Sequence, residues 1–214
     1  MGIRIVLVSL AYAWAAATSS QRGQTFNFDA DRVGGAPAGF RFAAMRQDGP
    51  GSWLVRRDGL NGSLAHGLDP KAAGFALALA TDGSERDIVA TVRLRLSGGS
   101  KAGGLVWRYV DAANFYAAIL DLTNRELFLW RVTGGNRVFL ESKDDLELDN
   151  AAWHVLKVVH DDEDIAVSLG GIRVFEDRDR RGDRRPPTGR TGVMAAGNAE
   201  VWFDDLRIDP PRNR

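Results

Sequence analysis

Hydrolysis, metal binding and nucleophilic attack each need particular side chains at particular spacings. Retaining glycoside hydrolysis uses two carboxyls about 5 Å apart. One strand motif that supplies such a pair is Glu-x-Asp-x-x-Glu. The 214-residue chain has no such stretch, and its acid clusters (Asp144-Asp145, Asp161–Asp164, Glu176-Asp177) fall where turns are expected. It has no cysteine, which excludes a thiolate nucleophile, a cysteine-ligated metal and a disulfide framework. His66, His154 and His160 are the three histidines; none forms a His-x-x-x-His pair or stands beside a Gly-x-Ser-x-Gly elbow. His154 and His160 are read as solvent-facing or capping residues. Calcium prefers clustered carboxylate and carbonyl oxygens, which makes Asp205 of the Asp204-Asp205 pair the metal candidate. Adjacent strand residues point to opposite faces, so only one of the two can ligate from a given side.

Aromatic residues are the stronger lead. Trp53, Trp107, Trp130, Trp153 and Trp202, with Tyr109 and Tyr116, lie in strand-like segments. Sugar rings present C–H faces that stack on such planes, while Arg and Asp bond their hydroxyls. Arg108, Tyr116, Asp121 and Trp130 fall on consecutive segments and form the candidate ligand-binding set. In the segment 105–109, alternation puts Leu105, Trp107 and Tyr109 on one face and Arg108 with Val106 on the other. Arg108 is then expected on an open sheet face, or paired with Asp121 or Glu126. The tryptophans also suit a sandwich core, where large aromatics dominate packing.

The elements that must position these residues are strands. In Ile88–Leu96, Ile88, Ala90, Val92, Leu94 and Leu96 share one face, and Thr91, Arg93 and Arg95 the other. Phe75–Ala80 alternates large and small residues and is read the same way. Further strands are expected at 105–109, 114–120, 126–132, 153–159, 165–169, 172–175, 192–195 and 201–208. Turn signals recur about every ten residues, including Asn61-Gly62, Asp82-Gly83, Gly134-Gly135 and Gly170-Gly171. No segment sustains helical periodicity, so the chain reads as all-β. The charged run 176–185, followed by Pro186-Pro187, is expected to form an exposed loop between strands.

Residues 1–17 carry one positive charge, a short apolar run and small residues at Ala15 and Ala17, the three parts of a secretory signal. Residues 18–214 then form one domain in an extracytoplasmic protein, periplasmic or secreted, with no membrane span after signal removal. Twenty-eight basic against 28 acidic residues give no electrostatic reason to expect a nucleic acid partner.

One order of features extends over nearly all of residues 24–209. Gly103–Tyr116 leads into an aliphatic strand and Arg125–Val132; then come Trp153–Val158, Thr188–Val193 and Val201–Ile208. This order resembles the laminin G/concanavalin A-like jelly rolls, specifically the exported bacterial group of 3-keto-disaccharide hydrolases, or family 16 glycoside hydrolase-like proteins. The resemblance implies a two-sheet antiparallel sandwich with the strand around Phe26 and Phe28 beside the one near Phe203. It also implies carbohydrate, such as a cell-surface glycan, as ligand. No cofactor is implied beyond structural calcium. The expected function is a non-catalytic module that binds carbohydrate. The alternatives are a hydrolase or lyase acting on (3-keto-)glycosides, and a structural or protein-interaction domain.

Overall fold

The computed structural model describes residues 23–46, 48–99, 101–149, 152–180 and 186–211. The segment read as an export signal lies outside them. Every regular element among the described residues is a β-strand. The strands form two antiparallel sheets, as the jelly-roll resemblance implies. The eight-stranded sheet runs β13 (Ile172–Arg178), β12 (Asp164–Leu169), β11 (His154–Asp161), β6 (Ile88–Gly99), β15 (Ala199–Asp209), β4 (Asn61–His66), β3 (Trp53–Asp58). β1 (Gln24–Phe26) continues the edge of β15 beyond β4, pairing Phe26 with Leu206. The seven-stranded sheet runs β10 (Asn136–Lys143), β9 (Glu126–Thr133), β8 (Asn114–Asp121), β7 (Ala102–Asp111), β14 (Arg190–Ala196), β5 (Phe75–Ala80), β2 (Phe40–Met45).

The sheets pack through a core that includes Ile88, Val92, Leu94, Leu156, Val158, Val167, Phe203, Leu105, Trp107, Tyr116 and Leu129, all fully buried. Gly103 faces this core from β7, where a Cβ would stand 3.0 Å from the Val201 side chain. The hairpins joining β9 to β10 and β12 to β13 turn on Gly134-Gly135 and Gly170-Gly171. All four glycines have φ between +57° and +83°, the left-handed pair that a two-residue hairpin requires.

The turn expected at Asn61-Gly62 lies two residues earlier, at Gly59-Leu60, and both predicted turn residues begin β4. Gly62 is small for a different reason: a Cβ there would meet the Phe28 carbonyl at 2.2 Å. The charged run also differs from expectation. Glu176–Arg178 belong to the edge strand β13, and Asp179 is buried. Residues 181–185 lie outside the described residues. Charged side chains on an edge strand discourage pairing with another chain, so the same composition serves an edge as well as a loop.

The outer face of the seven-stranded sheet is apolar. Pairing register places Phe75, Leu77 and Leu79 of β5, Met194 of β14, Val106 of β7, Ala117 and Ile119 of β8, and Phe128 and Trp130 of β9 on it together. β5 and β9 are four strand spacings apart, about 19 Å in a flat sheet, yet the Phe75 and Trp130 rings meet at 5.5 Å. Arg46, just past β2 at one edge, reaches the Gly135 carbonyl beside the other edge at 3.0 Å. The sheet therefore curls until its rims touch, and Leu77, Val106, Ala117, Ile119 and Met194 are buried on what would be an outer surface.

Candidate functional site

The four candidate ligand-binding residues fall in three places. β7 breaks its ladder between Trp107 and Asp111, and Arg108 there has φ 47°. The break turns Arg108 inward: it is 2% exposed. It donates to the Arg86 carbonyl, to Asp87 Oδ1 at 3.2 Å and to the Asp162 carbonyl at 3.1 Å. Its partner is thus Asp87, rather than Asp121 or Glu126, and it does not project onto an open sheet. Its guanidinium stands 5.7 Å from the Tyr116 ring.

Tyr116 is fully buried and donates its hydroxyl to Asp179 Oδ2 at 2.7 Å. Arg131 grips the same carboxylate at 2.9 and 2.7 Å. Burial, then the Asp179 carboxylate, push the Tyr116 hydroxyl well above the usual phenol range, so it stays a donor. His160 is also buried, contrary to the expectation of a solvent-facing ring. It accepts from Trp107 Nε1 at 2.8 Å through Nδ1, which leaves Nε2 to donate to the Asp162 carbonyl at 3.1 Å. Each of these groups is engaged by partners within the protein, and Arg108 and Tyr116, both buried, offer no surface to a ligand.

Asp121 ends β8 and accepts from the Thr123 and Asn124 amides at 2.9 and 3.1 Å, an Asx turn. Trp130 lies on the curled apolar face, between Phe75 and Phe128, with the Arg137 guanidinium 4.8 Å from its ring. The structure brings Arg108 and Tyr116 together in the interior and separates both from Asp121 and Trp130. Asp205 pairs with Arg93 at 3.1 Å, and among the described residues no three His, Asp or Glu side chains converge where they could hold a metal. The calcium expectation therefore does not fit the side chains at Asp205. Its neighbour Asp204 is buried in β15, and desolvation raises its carboxyl to about 6.

The outer face of the eight-stranded sheet is polar and open. In one half, arginines alternate with tryptophans across the strands. The Arg56 guanidinium stands 5.7 Å from Trp202, Arg95 4.9 Å from Trp202 and 5.0 Å from Trp153, and Arg93 5.1 Å from Trp153. Each arginine also has a carboxylate: Arg56 pairs with Glu200 at 3.0 Å and Arg95 with Asp58 at 2.8 Å, while Asp205 holds Arg93. The half-buried tryptophans of this face are thus covered by cations.

The other half is a groove of about 830 Å³. Register builds it in rows that no sequence motif announces. One row reads Arg207, Thr91, Lys157, Ser168, Arg173 across β15, β6, β11, β12 and β13. The next reads Asp209, Val89, Val159, Ala166, Glu176 across the same strands. Ion pairs close both ends: Arg207 to Asp209 at 2.6 Å, which holds the guanidinium more firmly protonated, and Arg173 to Glu176 at 2.6 Å. Between them lie an apolar strip and a strip bearing two hydroxyls and an ammonium. None of these groove residues was selected in sequence, because each is an ordinary exposed residue of its own strand.

No protein-family model matches the chain, and no curated protein sequence matches it. Solved structures do. The carbohydrate-binding module CBM66 from Bacillus subtilis superposes with a TM-score of 0.62 at 18% identity, over 78% of this chain and 94% of that one. A Bacillus subtilis protein with a galectin-like fold gives 0.58 at 14% identity, over 82% and 90%. A family 43 glycoside hydrolase from Bacillus licheniformis gives 0.58 at 16% identity, over 86% of this chain but 39% of that one. At these identities the likeness concerns the fold. The chain is a two-sheet jelly-roll sandwich of the concanavalin A-like and galectin-like architecture.

Proposed function

We propose that the protein is a carbohydrate-binding module that works outside the cytoplasm and binds its ligand in the groove of the eight-stranded sheet. The groove is the observation that carries this reading. A pyranose or furanose ring has an apolar C–H face and a rim of hydroxyls, and the groove offers the complement of both. Val89, Val159 and Ala166 supply an apolar floor. Thr91 and Lys157, with the two terminal ion pairs, supply donors and acceptors around it. Its volume is within the ~300–1,000 Å³ usual for small-ligand sites. The structural likeness to a carbohydrate-binding module supports the ligand class at the level of fold. Export rests on the apolar leader at residues 5–17.

Affinity electrophoresis against a panel of plant, bacterial and animal polysaccharides, run with a reducing-sugar assay, tests this reading. Retention by at least one polysaccharide without release of reducing ends is expected. Ala166→Trp, which fills the floor from an outward-facing position of β12, should abolish retention while leaving the melting temperature within a few degrees. Reducing-end release, or retention unaffected by Ala166→Trp, would overturn it.

A further inference from the structure

Resting on the binding role proposed for the groove, we infer that its ligand is an acidic saccharide whose anionic group is received by Lys157. The row that carries Lys157 contains three cations, and two of them are committed. Arg207 and Arg173 at its ends hold Asp209 and Glu176 of the adjacent row, each at 2.6 Å. Lys157, at the centre, is exposed, and among the described residues no carboxylate pairs with it. Its neighbours in the row, Thr91 on one side and Ser168 on the other, present hydroxyls that no hydrogen bond engages among the described residues. An ammonium between two free hydroxyls is a donor set for an anion.

The other acids of the groove do not cancel it. Asp164 is held by Arg178 at 2.9 Å. Asp161 lies four residues along β11 from Lys157, about 13 Å away at the rise of a strand. The apolar strip of Val89, Val159 and Ala166 runs beside the Lys157 row. A sugar ring can therefore lie on the strip with a ring carboxylate or sulfate turned toward Lys157. A neutral sugar would leave the ammonium without its counter-charge.

Isothermal titration with oligogalacturonate, a sulfated galacto-oligosaccharide and a neutral galacto-oligosaccharide of equal length tests this. One or both acidic ligands should bind about tenfold more tightly than the neutral one, the scale of one charge-assisted hydrogen bond at an open site. Which acidic ligand is preferred separates carboxylate from sulfate. Lys157→Gln should erase the preference, Lys157→Arg should retain it, and added salt should weaken the acidic ligand selectively. Equal binding of acidic and neutral ligands, unchanged by Lys157→Gln, would overturn the acidic assignment and leave glycan binding standing. Absence of binding to all three, and to the wider polysaccharide panel, would overturn both.

Discussion

The two outer faces of this sandwich are built from the same strand alternation and have opposite fates. On the seven-stranded sheet the outward positions along the middle of the central strands are apolar, with Asp121 and Glu126 only at the strand ends, and the sheet curls until Phe75 touches Trp130 and Arg46 bonds Gly135. That face has become a second core. On the eight-stranded sheet the outward positions are mostly charged or hydroxyl-bearing, with the Val89, Val159 and Ala166 strip and Trp153 and Trp202 among them, and a groove remains open. Shared architecture with carbohydrate-binding sandwiches does not say which face binds. Under the proposed binding role, the chemistry of the outward residues favours the open face.

The comparison can be broken most severely from within. Asp179→Ala leaves the Arg131 guanidinium buried without its carboxylate and removes the acceptor of Tyr116. A loss of about 4 kcal/mol is expected, measured by denaturant unfolding, because one partner of a buried ion pair is deleted. Opening the closed face is the next test. Trp130→Ala should cost about 3 kcal/mol, as a large aromatic packed against Phe75 and Phe128 is lost. A cost below 1 kcal/mol would show that the seven-stranded sheet's outer face is not a core.

A smaller effect of opposite sign is expected at Asp204. Its folded carboxyl, raised to about 6 from 3.8, binds a proton that the unfolded chain has already released. Its contribution to stability is therefore present below about pH 4 and declines as pH rises through 4 to 6. Asp204→Asn keeps the acceptor for the Asp205 amide and should stabilise the protein at pH 7 by about 2 kcal/mol, measured as a flattened pH dependence of unfolding. The smallest change in stability belongs to the open face. Lys157→Gln should alter unfolding free energy by less than about 0.5 kcal/mol, as an exposed residue without a partner does.

The strands were legible in the sequence because a strand with one buried face carries a period-two alternation; Ile88–Leu96 and the Ala/Leu strand Phe75–Ala80 are both strands, as read. The bulge at Arg108 was not legible. It belongs to a place where Gly189 lies against the backbone of Arg108 and Tyr109, a Cβ on Gly189 meeting it at 2.4 Å, and that approach is tertiary. Once the alternation breaks there, the inferred face of Arg108 reverses. His160 shows the same limit, since only the packed sandwich brings it the Trp107 indole. The groove was illegible for another reason. Arg207, Thr91, Lys157, Ser168 and Arg173 come from five strands spread over more than a hundred residues, and only pairing register sets them in line. Tryptophan was conspicuous in the sequence yet points elsewhere: Trp107 is core, Trp130 closes the curled face, and Trp153 and Trp202 are covered by arginines.

Backbone amide chemical-shift mapping tests most directly whether the open face, and not the curled one, is the binding surface. The protein labelled with nitrogen-15 would be titrated with oligogalacturonate and with its neutral galacto-oligosaccharide counterpart. Shifts confined to β6, β11, β12, β13 and the final residues of β15, and absent in Ala166→Trp, are predicted. Shifts clustered instead on β5, β8 and β9 around Phe75 and Trp130 would contradict the account, because the ligand would then have opened the face described here as a second core.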